Sequence, residues 1–235
     1  MINFVNRMIK GALRSFRAYW VQDVSFVTLL LMLIFVIFIM PTLLEVEMVG
    51  IQSFDVMLSV IFFVGIWSAD NLWLILSSAA FFLLFLFAKF VYPVEHSIFE
   101  MVVACLCMLL NILINFRLLF RDGNFNLERV LGAVNVYLFF ALLGAFLFDL
   151  IYLIFGSSIT GNVTISGGNI DFVHYIYFSM VSLTTVGFGD IFPANFAARM
   201  LSVGLAAVGI LYPAVVIAKL VSLGTDKTGF KRAGD

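Results

Sequence analysis

Long apolar stretches separated by short polar breaks occupy most of this chain. Six of them lie near the roughly 20 residues that cross about 30 Å of hydrocarbon: approximately Val24 to Leu44, Ser53 to Trp67, Leu72 to Val91, Ile98 to Phe120, Val130 to Phe155 and Phe196 to Val221. Pro41, Glu45 and Glu47 mark the exit of the first, Ser68 to Asn71 read as a tight turn between the second and third, and Tyr92 and Pro93 close the third. A further apolar run, Phe172 to Thr184, is too short to span and follows a Gly/Ser-rich segment, Gly156 to Gly168. It predicts a re-entrant helix, which is tolerated at membrane depth only where protein or a wet cavity surrounds it. Residues 1–22 carry a different pattern. Arg7, Lys10, Arg14 and Arg17 alternate with Val5, Ile9, Leu13, Phe16 and Trp20, the spacing of an amphipathic helix lying in the membrane interface. No small-residue cleavage site follows the next apolar run, which argues against a secretory signal.

Composition narrows the class. Of 235 residues, 63% are hydrophobic and 11% charged, and a water-soluble domain has nowhere to place so much apolar surface. The chain therefore reads as an all-α integral membrane protein in contact with lipid. A net charge of −1 gives no reason to expect nucleic acid as a partner. Cys105 and Cys107 stand two apart in an apolar run; on a helix such positions do not face each other, so they read as buried thiols and not as a disulfide. No His/Cys/carboxylate cluster has metal-ligand spacing, and neither a Gly-rich phosphate loop nor a nucleophile–base arrangement is present, so the sequence offers no enzyme machinery and no organic cofactor site.

Charge then orients the spans. In a six-span layout Arg7, Lys10, Arg14 and Arg17, then Arg117, Arg121 and Arg129, then Lys219, Lys227, Lys231 and Arg232 share one side, while Lys89 and Arg199 fall on the other. The excess of Lys and Arg marks the cytoplasmic face. Both termini are expected there, in a multi-pass protein of the cell membrane.

Between the fifth and sixth stretches the chain reads FSMVSLTTVGFGDIFP from Phe178 to Pro193. Its centre, TVGFGD from Thr185 to Asp190, resembles the selectivity-filter signature of the tetrameric potassium-channel family, and Leu127 to Leu223 resembles that family's pore domain. A Gly-x-Gly alone carries no weight; the full string, after a Ser/Thr-rich run and between two long apolar stretches, has the context such a motif requires. The resemblance implies six transmembrane helices with a re-entrant pore helix and a selectivity-filter loop, four copies forming a homotetramer, and K+ ions held in the filter by backbone carbonyls of Thr185, Val186, Gly187, Phe188 and Gly189, with the Thr185 hydroxyl adding one more oxygen ring. The physical case is parallel. A dehydrated ion needs oxygen dipoles in place of its hydration shell, and successive carbonyls point one way only if the backbone alternates into the left-handed region that glycine tolerates. Val186 and Phe188 would then point away from the ions and pack behind the filter.

Filter support is expected from Tyr177, Phe178, Val181, Thr184 and Asp190. Three departures from the family pattern stand out: Phe188 replaces a tyrosine and loses its hydroxyl, Tyr177 and Phe178 stand where many members have a tryptophan pair, and Val181 replaces a glutamate that some members pair with the filter aspartate, leaving Asp190 without that partner. Tyr177 is the candidate to supply the lost donor. Asp171 and His174 begin the pore helix, where an acidic group suits the positive helix end. In the sixth stretch Gly204, Gly209 and Pro213 are gate or hinge candidates, with close packing of small residues the competing reading for the glycines.

The layout is a cytoplasmic interfacial helix at 1–22, a four-helix voltage-sensor-like domain at 23–121, a linker at 122–129, a pore domain at 130–222 and a short cytoplasmic tail at 223–235. A voltage sensor needs arginines at every third residue through its fourth helix. Met101 to Phe116 contains none, and Arg117 and Arg121 stand only at the inner end. The expected function is a potassium-selective channel with weak or absent voltage gating, opened by lipid, tension, pH or a separate partner. A working voltage-gated channel and a non-conducting subunit that assembles with other channels are the alternatives; a carrier-type subunit with four degenerate pore loops fits less well, because this chain has one complete loop. Asn111 and Asn115 in the fourth stretch, and Asn135 in the fifth, are expected to bond to neighbouring helices.

Overall fold

The computed structural model describes residues 25–68, 72–91, 97–120, 127–168 and 170–229. The amphipathic arm at 1–22, the turn residues 69–71, Tyr92 and Pro93, Arg121 and residues 122–126 of the expected linker lie outside the described residues.

Helix α1 (Ser25–Ile34) continues through a five-residue π-helical turn (Phe35–Ile39) into α2 (Met40–Glu45), so one rod takes up the first apolar stretch. Pro41 gives a reason for the widened turn. It has no N–H to offer the Ile37 carbonyl and its ring crowds that oxygen, and Thr42 Oγ1 compensates one turn along by donating to the Phe38 carbonyl at 3.0 Å. Then follow α3 (Ile51–Ser68), α4 (Leu72–Val91), α5 (Ile98–Leu119), α6 (Leu127–Phe155), α7 (Asp171–Leu183) and α8 (Phe196–Gly229). Four segments among the described residues are long and apolar enough to cross a membrane: Phe26–Glu45, Ile98–Leu119, Arg129–Phe155 and Phe196–Lys219. The apolar segments of α3 and α4, Gln52–Val64 and Trp73–Ala88, are shorter. Two boundaries move. Helix α6 begins at Leu127 and takes residues 127–129 from the expected linker, while α8 runs on to Gly229 through the first part of the expected tail.

Helix α6 is the hub of the fold, in contact with α1, α5, α7 and α8. Val136, Phe139, Ala141, Leu142, Ala145 and Phe148 are fully enclosed, as expected of a helix apolar on all sides. Asn135 donates from Nδ2 to the Phe26 carbonyl of α1 at 2.8 Å and ties the first helix to the hub. The other two asparagines behave differently from expectation. Asn111 and Asn115 donate back to the carbonyls of Cys107 and Asn111, both at 2.9 Å, on their own helix. At four residues' separation the preceding carbonyl is the nearest acceptor, and it outcompetes any partner across the interface. Cys105 and Cys107 are buried free thiols.

The fold is not purely helical. Strand β1 (Ile159–Gly161) pairs antiparallel with β2 (Ile191–Pro193) in the register Ile159 to Pro193, Thr160 to Phe192 and Gly161 to Ile191. This clasp joins the loop after α6 to the segment that follows TVGFGD. Its closeness requires glycine at 161: φ is +134°, and an added Cβ would overlap the Asp190 carbonyl oxygen.

Candidate functional site

Helix α7 and the segment after it form the site. The helix starts at Asp171, whose carboxylate does not cap its own helix but turns back to the preceding loop. Its Oδ2 accepts from the backbone N–H groups of Ser166 at 2.8 Å, Gly167 at 2.6 Å and Gly168 at 3.2 Å. One buried carboxylate thereby gathers three amides of a partly exposed loop. Farther along, Ser179 Oγ donates to the Ala141 carbonyl at 2.6 Å, fixing α7 to α6, and Gly144 lets them approach, since a Cβ there would overlap Ser179 Oγ and come within 2.8 Å of Leu205 of α8.

At the far end of α7 the Leu183 carbonyl meets two helices. The Tyr137 hydroxyl of α6 donates to it at 3.3 Å. Gly209 of α8 lies so near that an added Cβ would overlap that oxygen and come within 2.8 Å of its carbon. Of the two readings of Gly209, hinge or close packing, the geometry supports close packing. Gly204 faces open space, and α8 continues through Pro213 without a break in helix. Next to Pro213, the Tyr212 hydroxyl donates to the Ala133 carbonyl at 2.9 Å, tying the lower part of α8 to α6.

The chain leaves α7 through Thr184 and enters the left-handed region at Thr185 (φ +60°), Gly187 (φ +57°) and Gly189 (φ +79°), every second residue. Glycine does this without penalty, while an L-residue such as threonine gives up roughly 1–2 kcal/mol. Thr185 and Val186 are held at the start by bonds from their N–H groups to the Ser182 and Val181 carbonyls, each 3.1 Å. Thr184 Oγ1 returns to the Met180 carbonyl at 2.7 Å. At the other end, the Asp190 carbonyl accepts from Asn162 N–H at 2.8 Å, beside the β1–β2 clasp.

The Asp190 side chain is also engaged. The Tyr177 hydroxyl donates to its Oδ2 at 2.6 Å. That bond holds the Asp190 carboxyl below its usual range and the Tyr177 hydroxyl above its own. In place of the glutamate that some members carry where Val181 stands, Tyr177, four residues earlier and one turn of α7 away, reaches Asp190. Phe178 packs on Phe148 with ring centroids 4.9 Å apart, and Val181 is buried. Val186 and Phe188 are open to one side in the single chain. They are 53% and 71% exposed, because no wall of the single chain stands behind the TVGFGD segment.

Residues 134–226 match the family model described as an ion channel. Comparison with curated proteins and with solved structures finds no match. The ion-channel domain so defined contains α7, the TVGFGD segment, α6 from Val134 onward and nearly all of α8. It supports assignment as a membrane protein with passive ion transport. Arg117, the described sensor-charge candidate, is exposed in the last turn of α5, outside this domain. Among the described residues no group of three His, Cys, Asp or Glu side chains is placed to hold a metal ion.

Sequence reasoning missed three features here: the clasp, the amide cradle of Asp171, and a buried polar group behind α7 in which Tyr175 lies near Ser158, Asp149 and Asp171. An aspartate inside an apolar helix, as Asp149 is in α6, was the available signal, since ionisable groups at membrane depth face protein and not lipid.

Proposed function

We propose that this chain is one of four identical subunits of a potassium-selective channel, and that the TVGFGD segment is its filter. The observation that carries the reading is the alternation of left-handed φ at Thr185, Gly187 and Gly189 in a segment fixed at both ends and exposed between them. Such a backbone turns successive carbonyls of 185–189 toward one side, where four copies close a cage of oxygen dipoles around a dehydrated K+. Helix α7 points its negative end at the same place, and four ends of about half a charge each favour a cation there.

Fourfold assembly gives the exposed apolar surface somewhere to go. Only 11% of the apolar window of α8 is buried within the chain, with Val203, Ile210, Leu211, Val215 and Ile217 all exposed. Val186 and Phe188 would likewise find their walls in neighbouring subunits. The Tyr177–Asp190 bond takes over the tethering that Phe188 cannot provide. In this reading all six apolar helices cross the membrane, both termini are cytoplasmic, and helices α1 to α5 form a sensor-like scaffold without enough charge in the field to drive opening by voltage.

Single-channel recording in planar bilayers under bi-ionic potassium and sodium, across a voltage series, tests this. The expected result is a reversal potential set by potassium and an open probability that changes little with voltage. Equal permeability to the two ions overturns selectivity; steep voltage dependence overturns the scaffold reading; a stable tetramer that conducts nothing under any condition supports a non-conducting subunit instead.

A further inference from the structure

Between the first rod and α7 lies a cavity of about 450 Å³, within the roughly 300–1,000 Å³ usual for small-molecule sites. We propose that it holds a single phospholipid with an ammonium headgroup, one acyl chain lying in the cavity and the head at its outer rim. The inference rests on the chain being embedded as proposed above.

The polar side chains of the lining lie towards one end of a mostly apolar wall: on the rod Thr42 and Glu45 follow Ile37 and Phe38, and on α7 Tyr177 and His174 lie nearer the start of the helix than Met180, with Val46, Ile176 and Val173 interspersed. An amphiphile matches that gradient with its tail at the Ile37–Met180 end and its head at the Glu45–His174 end. The exposed carboxylate of Glu45, followed by Glu47 just beyond, selects a positive head over an anionic one, and the aromatic ring of Tyr177 adds a face that attracts ammonium. Two of the rod's lining residues, Ile37 and Phe38, belong to the π-helical turn Phe35–Ile39, a rare distortion found mostly at functional sites. Tyr177 is shared with the filter segment, because its hydroxyl holds Asp190; a bound chain therefore touches the residue that fixes the outer end of TVGFGD.

The test uses the full chain in nanodiscs containing a phosphatidylcholine with a photoreactive diazirine at mid-chain, read by mass spectrometry of the labelled peptides. Labelling is expected to concentrate on residues 37–42 and 173–180. Met180→Trp, which fills the tail end, should abolish that concentration, and Glu45→Gln, a change at an exposed position that leaves packing alone, should reduce it by about 2- to 5-fold, the scale of one exposed charge pair. A diazirine-labelled phosphatidylglycerol should label the cavity more weakly than phosphatidylcholine. Even labelling along the exposed faces of α1 and α8, or indifference to both substitutions, overturns the proposal. No ion gradient enters the readout, so loss of potassium selectivity and loss of lipid labelling are separate results.

Discussion

Gly204 and Gly209 stand on one helix, yet they are predicted to respond oppositely to the same substitution. Replacing glycine by alanine within a helix gains about 0.8–1 kcal/mol from propensity, and at 204 nothing lies within 4 Å of the new methyl group to oppose it. At 209 the methyl group meets the Leu183 carbonyl, a backbone atom at the end of a packed helix that cannot swing aside. Overpacking of this kind costs about 1–3 kcal/mol. Gly204→Ala should therefore be slightly stabilising and Gly209→Ala neutral to destabilising, with the two variants separated by the overpacking alone. For a chain of this size each kcal/mol corresponds to roughly 2–4 °C in melting temperature, giving a separation of roughly 2–12 °C. Thermal unfolding of both purified variants in one detergent, followed by size-exclusion chromatography, reads it. If the two melt together, α8 does not press against α7 at Gly209 and the packing argument fails.

Three further outcomes follow from the same geometry. Asp171→Ala strips an acceptor from the Ser166, Gly167 and Gly168 amides and should destabilise by about 1.5–3 kcal/mol, the range for hydrogen bonds to a charged group, while Asp171→Asn, retaining one carbonyl oxygen, should lose less; denaturation midpoints compare them. Asn135→Leu should cost about 0.6 kcal/mol, the mean for a hydrogen bond between membrane helices, measured in the same unfolding assay. For the Tyr177–Asp190 pair the sign is set by a carboxyl held below its ordinary 3.8 and a hydroxyl held above its ordinary 10.0. Its contribution is present between those ordinary values, is lost on the acid side as pH falls through the lowered carboxyl value, and is lost on the alkaline side as pH rises through the raised hydroxyl value. Tyr177→Phe should raise Asp190 towards the ordinary carboxylate range, the Ile191 N–H bond to its other oxygen remaining, observable by carbon NMR of the labelled side chain; an unchanged titration would mean the hydroxyl does not hold it.

Features carried by a repeating period or a fixed string were readable before the structure. Apolar runs located the helices to within a few residues, the short run at Phe172 announced α7, and the glycines at 187 and 189 sit at positive φ for the reason that only glycine does so freely. Contacts between segments distant in sequence were not readable. Nothing in Ile159–Gly161 names Ile191–Pro193 as its partner, because three-residue strands are too short to carry an alternation. Asn111 and Asn115 show the same limit from the other side: their types predict a hydrogen bond, but its direction depends on which carbonyl is nearest. Gly209 was visible as a glycine, whereas the choice between bending and packing needed the position of Leu183.

The β1–β2 clasp has a topological effect. Together with the Asn162–Asp190 bond it closes the chain into a ring that contains α7 and TVGFGD. While that ring is shut the two ends of the segment stay together, which limits the freedom of everything between them. A proteolytic cut in the loop at 163–165 would leave the two fragments joined across Ile159–Gly161 and Ile191–Pro193, with the filter segment still seated.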